Sequence, residues 1–397
     1  MEEHGRGEMN HSGPSELADD KAARIRDQFP VLRRNAYLNA GTYGPLPLAV
    51  GRAMAASLQR QVRRGRIGRE AFREHEETAA RVRTLAARLV GAVPEEMALT
   101  RQTTEGMNVT VLGLDWERGD RVLTTDQEHY GGLLPLANLR RRWGVEVDFI
   151  RTEDLLADPV GAVERAWTPR TKLLGFSHVS FRTGALLPAA ALAAAVRRLG
   201  GLTLADGAQS VGAIPVDVAE LGVDFYAFPG QKWLCGPEGT GLLYVRRERQ
   251  PSLRPSLPGF AAVQEMAEDG DFLFKPGARR YEGGTFNLPT LEGLAAALKF
   301  FLEEAGAAWA FGRVAGWREA AAARLNALGA RLLTPSPAAG LLSFQWEGRS
   351  PEDVVAALSR RRVLVRSINR PACVRVAAGY WNNEADLERL VEALQKP

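Results

Sequence analysis

Lysine is scarce in this chain of 397 residues: of 51 Lys and Arg, six are lysines. One of them, Lys232, stands in the run Phe228-Pro-Gly-Gln-Lys-Trp-Leu-Cys-Gly236. Arginine is the default cation here, and arginine cannot condense with an aldehyde as a lysine amine does. Upstream, Gly222-Val-Asp-Phe-Tyr-Ala-Phe228 reads as a buried strand. Downstream, Gly239-Thr-Gly-Leu-Leu-Tyr-Val245 reads as another, with glycines and Pro237 between them. Lys232 is thus placed on a short, stiff connection, and Trp233, Leu234 and Cys235 beside it argue against solvent. Before it, the apolar strand Leu202-Thr-Leu-Ala205 runs into Asp206 and a series of small residues. In open α/β sheets the carboxyl rim of the strands is where ligands bind. Taken singly, each residue has a plainer reading, a surface lysine and a helix N-cap.

Other candidates fall at similar points. Thr103 and Thr104 follow the strand-like Met97-Ala-Leu-Thr100 and open a helix, a ready anion site. His129 follows the strand Asp120-Arg-Val-Leu-Thr-Thr125 and is one of five histidines. Strands at 145–150, 172–177 and 202–205 alternate with helices, which favours a mainly parallel sheet with right-handed crossovers.

Together Asp206, Gln209 and Lys232 resemble the pyridoxal phosphate site of the class V aminotransferase family, which includes cysteine desulfurases and cysteine or cystine carbon-sulfur lyases. The likeness runs from about Tyr37 to Leu394. It implies an α/β fold of the type I class of pyridoxal phosphate enzymes, with a seven-stranded type of sheet and a small α+β domain. It also implies that Lys232 carries the cofactor, Asp206 meets its ring nitrogen, Gln209 its phenolic oxygen, and Thr103 and Thr104 its phosphate. His129 would stack on the ring and handle protons. Gln231 is a further cofactor contact, although the family commonly has Ser or Thr, Gly and His where Pro229, Gly230 and Gln231 stand. Thr285, in Arg279-Arg-Tyr-Glu-Gly-Gly-Thr-Phe-Asn287, resembles a contact to the partner's phosphate and implies an obligate homodimer. Asn39 lies in the loop over the site and is expected to bind the substrate with Arg366 and Arg375. Arg366 and Arg375 suit a substrate carboxylate, because a guanidinium fork matches its two oxygens. The two-arginine segment is most similar to the carbon-sulfur lyases, and Phe181 replaces an asparagine usual in desulfurases. The expected reaction is therefore β-elimination from cysteine or cystine, with a desulfurase, an aminotransferase or an epimerase-like enzyme as alternatives. His178 is expected to be structural.

The elements that must position these residues divide as a tail at 1–20, expected to be disordered, a segment at 21–46 that joins the small domain, a large domain at 47–290 and a small one at 291–397. A long arginine-rich helical region is expected from Pro47 to near Gly91, and a loose surface excursion from Pro251 to Pro276. Hydrophobic residues make up 45% and charged residues 25%, with a net charge of +4. No run is long enough to span a bilayer. The basic cluster at 59–70 lacks the interleaved aromatics and docking motif of a nucleic-acid site, and a Gly-x-Gly-x-x-Gly turn after an early strand, as a dinucleotide enzyme needs, is missing. Two cysteines and no export signal point to the cytoplasm, and no metal is called for.

Overall fold

The computed structural model describes residues 14–395. Seven strands form the central sheet: β1 (Met97–Thr100), β2 (Arg121–Thr125), β3 (Glu146–Ile150), β4 (Thr171–Ser177), β5 (Leu202–Asp206), β6 (Phe225–Pro229) and β7 (Gly241–Val245), in the order β1-β7-β6-β5-β4-β2-β3. β2 to β6 run parallel, and β7 is antiparallel to both its neighbours. Strands buried on both faces must be apolar throughout, and β6 and β7 are buried at every position. Successive side chains go to opposite sides. Leu173, Leu204, Phe225 and Leu243 join one core with Met107 and Leu136, while Leu174, Ala205, Tyr226 and Leu242 join the other with Val82 and Leu192.

A second, antiparallel sheet of β8 (Arg331–Leu332), β9 (Leu342–Gln345), β10 (Arg366–Asn369) and β11 (Ala372–Val376) has the order β8-β9-β11-β10 and its own apolar cluster around Leu325, Phe344, Val374 and Leu390. The chain's early residues belong to this cluster as well. Ala36 and Tyr37 pair in parallel with Val363 and Leu364, Asn39 bridges Ala377, and Ala36 and Leu38 are buried among the cluster's side chains.

Local chemistry moves several expected boundaries. A helix at Pro14–Asp27 begins inside the stretch expected to be disordered, and residues 1–13 lie outside the described residues. The long helical region is two helices, Leu48–Arg64 and Arg69–Val90, because Gly65 and Gly68 take φ values of 81° and 101°, open to glycine and strained for other residues. The excursion after Pro251 holds an antiparallel hairpin of Val263–Met266 with Phe272–Phe274. Leu288–Lys299 runs through a π-helical turn at Phe300–Gly306 into Ala307–Ala327.

A buried ion pair ties the helix Arg69–Val90 to the segment ahead of Thr285. Arg83 Nε and Nη2 each donate to Glu282 at 2.8 Å, and Leu99 N–H donates to the same carboxylate at 3.0 Å. Both side chains are within the core, at 5% and 3% exposure. Truncating one partner strands the other's charge, so Arg83→Ala should lower unfolding free energy by about 3–5 kcal/mol. Urea denaturation followed by circular dichroism checks this, and a loss below about 1 kcal/mol would remove the pair from the fold's main supports.

Candidate active site

The carboxyl ends of β2, β4, β5 and β6 converge on a cavity of about 220 Å³ lined by Asp206, Lys232, His129, Thr103, Thr104 and residues of the loop at 41–43. Asp206 ends β5 at 6% exposure, with Oδ1 accepting from Ala208 N–H at 2.8 Å. Burial pushes its carboxyl upward, against the pull of Lys232 and of that hydrogen bond. Lys232 faces it without any hydrogen-bond or ion-pair partner among the described residues. Burial pushes the Lys232 amine down to about 8; Asp206 opposes this, while Arg375 and Arg366 add to it.

The connection carrying Lys232 is as stiff as its composition suggested. Gly230 N–H donates to Thr240 O at 2.9 Å, Gly236 N–H to Gly230 O at 2.8 Å, and Cys235 sits at φ 57° with its N–H on Lys232 O at 3.0 Å. From the far side Gly44 N–H reaches Gln231 O at 2.8 Å, an approach that leaves no room for a Cβ at Gly44. Trp233 is buried, and its Nε1 donates to Gln209 Oε1 at 3.0 Å. Gln209 Nε2 donates in turn to Gly41 O at 2.8 Å, which leaves one amide hydrogen on a residue that lines the cavity.

Thr103 and Thr104 are the first residues of the helix Thr103–Gly113, whose N-cap Gln102 offers no side-chain cap. Open N–H groups, hydroxyls and the helix dipole together make an anion cradle. His129 caps the helix Tyr130–Trp143, with Nδ1 accepting from Gly131 N–H at 3.0 Å, so the neutral ring carries its proton on Nε2. Here the plain reading as a cap and the functional one coincide. Burial in the cavity wall, with the charges of Lys232, Arg366, Arg375 and Arg182, pushes His129 down to about 4. Phe181 meets its ring edge to face at 5.0 Å.

Arg375 is buried at 2% exposure instead of pairing at the surface. Its Nη1 donates to Phe181 O at 2.8 Å and its Nη2 to Thr42 Oγ1 at 3.1 Å. Arg366, its cross-strand neighbour, reaches the same hydroxyl at 3.3 Å. Burial pushes the Arg375 guanidinium down to about 9, with Arg366 adding to it. Thr42 Oγ1 passes its own proton to Asn39 Oδ1 at 2.8 Å, so Asn39 stands behind Thr42 and does not itself line the cavity. Two buried atoms there have no partner, Gln231 Oε1 and Arg375 Nε. Thr285 is exposed and lies outside this cavity. His178 binds Tyr226 Oη through Nδ1 at 2.8 Å in the core, as expected of a structural residue.

Sequence reasoning missed Glu128, Ser177 and Thr42. Glu128 accepts from Thr125 Oγ1 at 2.5 Å and from Ser177 N–H at 2.8 Å and Oγ at 2.5 Å. Burial pushes it up to about 7 despite those hydrogen bonds. An acid directly before His129, at the end of an apolar strand, was the available signal.

A helix start for an anion, a flat neutral imidazole, an amine and a facing acid thus line one cavity, with a guanidinium fork at its edge. The family model for aminotransferase class-V matches residues 37–390. A probable cysteine desulfurase of Methanothermobacter thermautotrophicus is 30% identical over 94% of this chain and 97% of its own length. Among solved structures, the complex of the cystine C-S lyase C-DES with its reaction product cysteine persulfide has a TM-score of 0.89 and 30% identity, over 93% of this chain and 99% of that one. A lysine-to-alanine mutant of C-DES, with glycine covalently linked to the PLP cofactor, matches equally well at 0.89 and 30%, over 94% and 99%. Matched over nearly its whole length in sequence and in fold, the chain belongs to the aminotransferase class-V family.

Proposed function

We propose that this chain binds pyridoxal phosphate at Lys232 and acts as a carbon-sulfur lyase on cysteine or cystine. The residues present fit that cofactor. The helix start at Thr103 and Thr104 suits its phosphate, buried Asp206 its ring nitrogen, and the spare amide hydrogen of Gln209 its phenolic oxygen. His129 offers a flat neutral ring, and Gln231 Oε1 an unused acceptor. When bound, pyridoxal phosphate supplies a sink for the electron pair left at the substrate's Cα.

The chain's own groups do the rest. Arg375, with Nε unpaired and its other nitrogens fixed on Phe181 and Thr42, orients the α-carboxylate, and Arg366 adds charge beside it. The Lys232 amine, held near 8, takes the proton from Cα once the substrate's amine has freed it. The Cβ–S bond then breaks with its electron pair leaving on sulfur. The sulfur leaves as an anion, and the Nε2–H of the neutral His129 ring is free to donate a hydrogen bond to it, while its proton comes from water. Cystine would yield cysteine persulfide, with pyruvate and ammonia after water is taken up, and no oxidant or reductant is consumed.

One observation carries elimination over sulfur transfer: both cysteines of the chain are buried. A desulfurase needs a mobile, accessible thiolate near the substrate sulfur. Cys373 instead lies within β11 at 0% exposure and outside the cavity lining, with burial pushing its thiol up against the opposing pull of Ser343 and Arg375. The desulfurase reading has support of its own in the name of the Methanothermobacter relative. Free thiols fit a reducing compartment such as the cytoplasm, and no described helix is long and apolar enough to cross a membrane.

We also place the chain in a homodimer with shared sites. Thr285 is exposed two residues after Gly283, which packs against Leu257 and Gly259, and the exposed Leu257 and Phe260, the latter at 93%, are apolar surface that suits a second copy. Light scattering at micromolar concentration should give twice the chain mass, and an active monomer would sink this assignment.

Borohydride should fix pyridoxal phosphate on Lys232, and Lys232→Ala should abolish the fixation. Only the neutral amine condenses with an aldehyde, so fixation to apoprotein should rise with pH through about 8. Removing a nearby cation by Arg375→Gln should move that midpoint upward. Peptide mapping that finds the label on Lys172 or Lys275 would overturn the assignment. Cys373→Ala should keep at least half of the pyruvate formed from cystine, while Arg375→Ala loses most of it. If Cys373→Ala stops sulfur release, and the wild-type protein makes alanine with a persulfide trapped on Cys373, the desulfurase reading replaces the lyase.

A further inference from the structure

One arginine more than an α-carboxylate requires stands beside this site, behind a residue that lines its cavity. Arg366 and Arg375 are cross-strand neighbours that share Thr42 Oγ1, so together they form a single anion position. Arg182 lies across Phe181 from them. Arg375 Nη1 holds the Phe181 carbonyl, and the Arg182 guanidinium lies 5.5 Å from the centre of the Phe181 ring. That ring lines the cavity and touches His129.

The backbone of Arg182 is fixed at both ends, its N–H donating to Ser180 Oγ at 3.2 Å and its carbonyl accepting from Ser343 Oγ at 2.6 Å. Its guanidinium, by contrast, has neither a hydrogen bond nor an acidic partner among the described residues. Among the described residues, arginines such as Arg83, Arg121 and Arg279 are paired with acids and others such as Arg118 and Arg331 are not, so what distinguishes Arg182 is its position over the Phe181 ring. Among the described residues the only acid lining the cavity is Asp206, whose charge is felt by Lys232. Arg182 is also one of the positive charges felt by His129, and it stands behind Phe181 and outside the residues that line the cavity.

From this placement we infer that Arg182 receives a carboxylate at the far end of the sulfur substituent, and so selects disulfide amino acids such as cystine over cysteines with small neutral S-substituents. The inference rests on the lyase reading and names its substrate class. Planar guanidinium over an aromatic face is preorganised for a carboxylate, and a cation beside a cavity also draws anionic substrates in.

The test measures binding apart from turnover. Protein loaded with pyridoxal phosphate and carrying Lys232→Ala is titrated with cystine and with S-methylcysteine, which lacks the second carboxylate. Adding Arg182→Gln should lower the ratio of the two affinities about tenfold, as losing one partly exposed charged contact does. Arg182→Met keeps the stem over Phe181 and should do the same, whereas Arg182→Lys should keep most of the preference. With Lys232 intact, the ratio of kcat/KM for the two substrates should fall alike, through KM for cystine. An unchanged ratio, or an equal loss for both compounds, overturns the inference. Failure of the wild-type protein to release pyruvate from either compound sinks the lyase reading instead, and the binding ratio still decides the role of Arg182.

Discussion

An amine kept out of water with no protein partner is the condition on which the rest of the site depends. Lys232 is surrounded by Arg366, Arg375 and a single opposing acid, so its charged form is disfavoured and its lone pair is available near neutral pH. Such a group persists only where its backbone cannot retreat. Hydrogen bonds from Gly44, Gly230, Cys235 and Gly236, with the Trp233 indole wedged into the core, leave the connection no freedom to turn the side chain outward. The antiparallel β7 belongs to the same device. By returning beside β6 it lets a connection of residues 230–240, shorter than a parallel crossover with its helix, hold the lysine at the rim where Asp206 ends.

The opposing wall is built by contacts distant in sequence. Thr42 gathers both arginines of the second sheet and is steadied by Asn39, whose backbone is bridged to Ala377. Glu128 joins the ends of β2 and β4 through Thr125 and Ser177, setting the height of the turn that presents His129.

This division explains what could be read in advance. Lys232, Asp206, Thr103, Thr104 and His129 each sit where a strand gives way to a turn or helix, and that is a local pattern of apolar run and breaker. Gln209 and Arg375 were legible by type, but not the side-chain bonds that hold them. Thr42, Ser177 and Glu128 carried little local signal, because their roles arise from partners such as Arg375 and Thr125 that only the fold brings near. Asn39 was placed one residue shell too close for the same reason. The split at Gly65 and Gly68 was visible in the sequence, yet the helical periodicity on both sides masked it.

On the proposed reading, the two sheets own different halves of the reaction. Lys232 and the anion cradle stand on the seven-stranded sheet, whereas Arg366 and Arg375 stand on the four-stranded one. On that reading, a small molecule gripped at its carboxylate and attacked at its Cα is a strut between them, joining bodies that are otherwise linked by backbone and side-chain contacts. Its occupancy then acts as mechanical reinforcement. At a ligand concentration one hundred times its dissociation constant the strut adds about 2.7 kcal/mol to the folded state, so heat resistance becomes a gauge of how fully the substrate is seated.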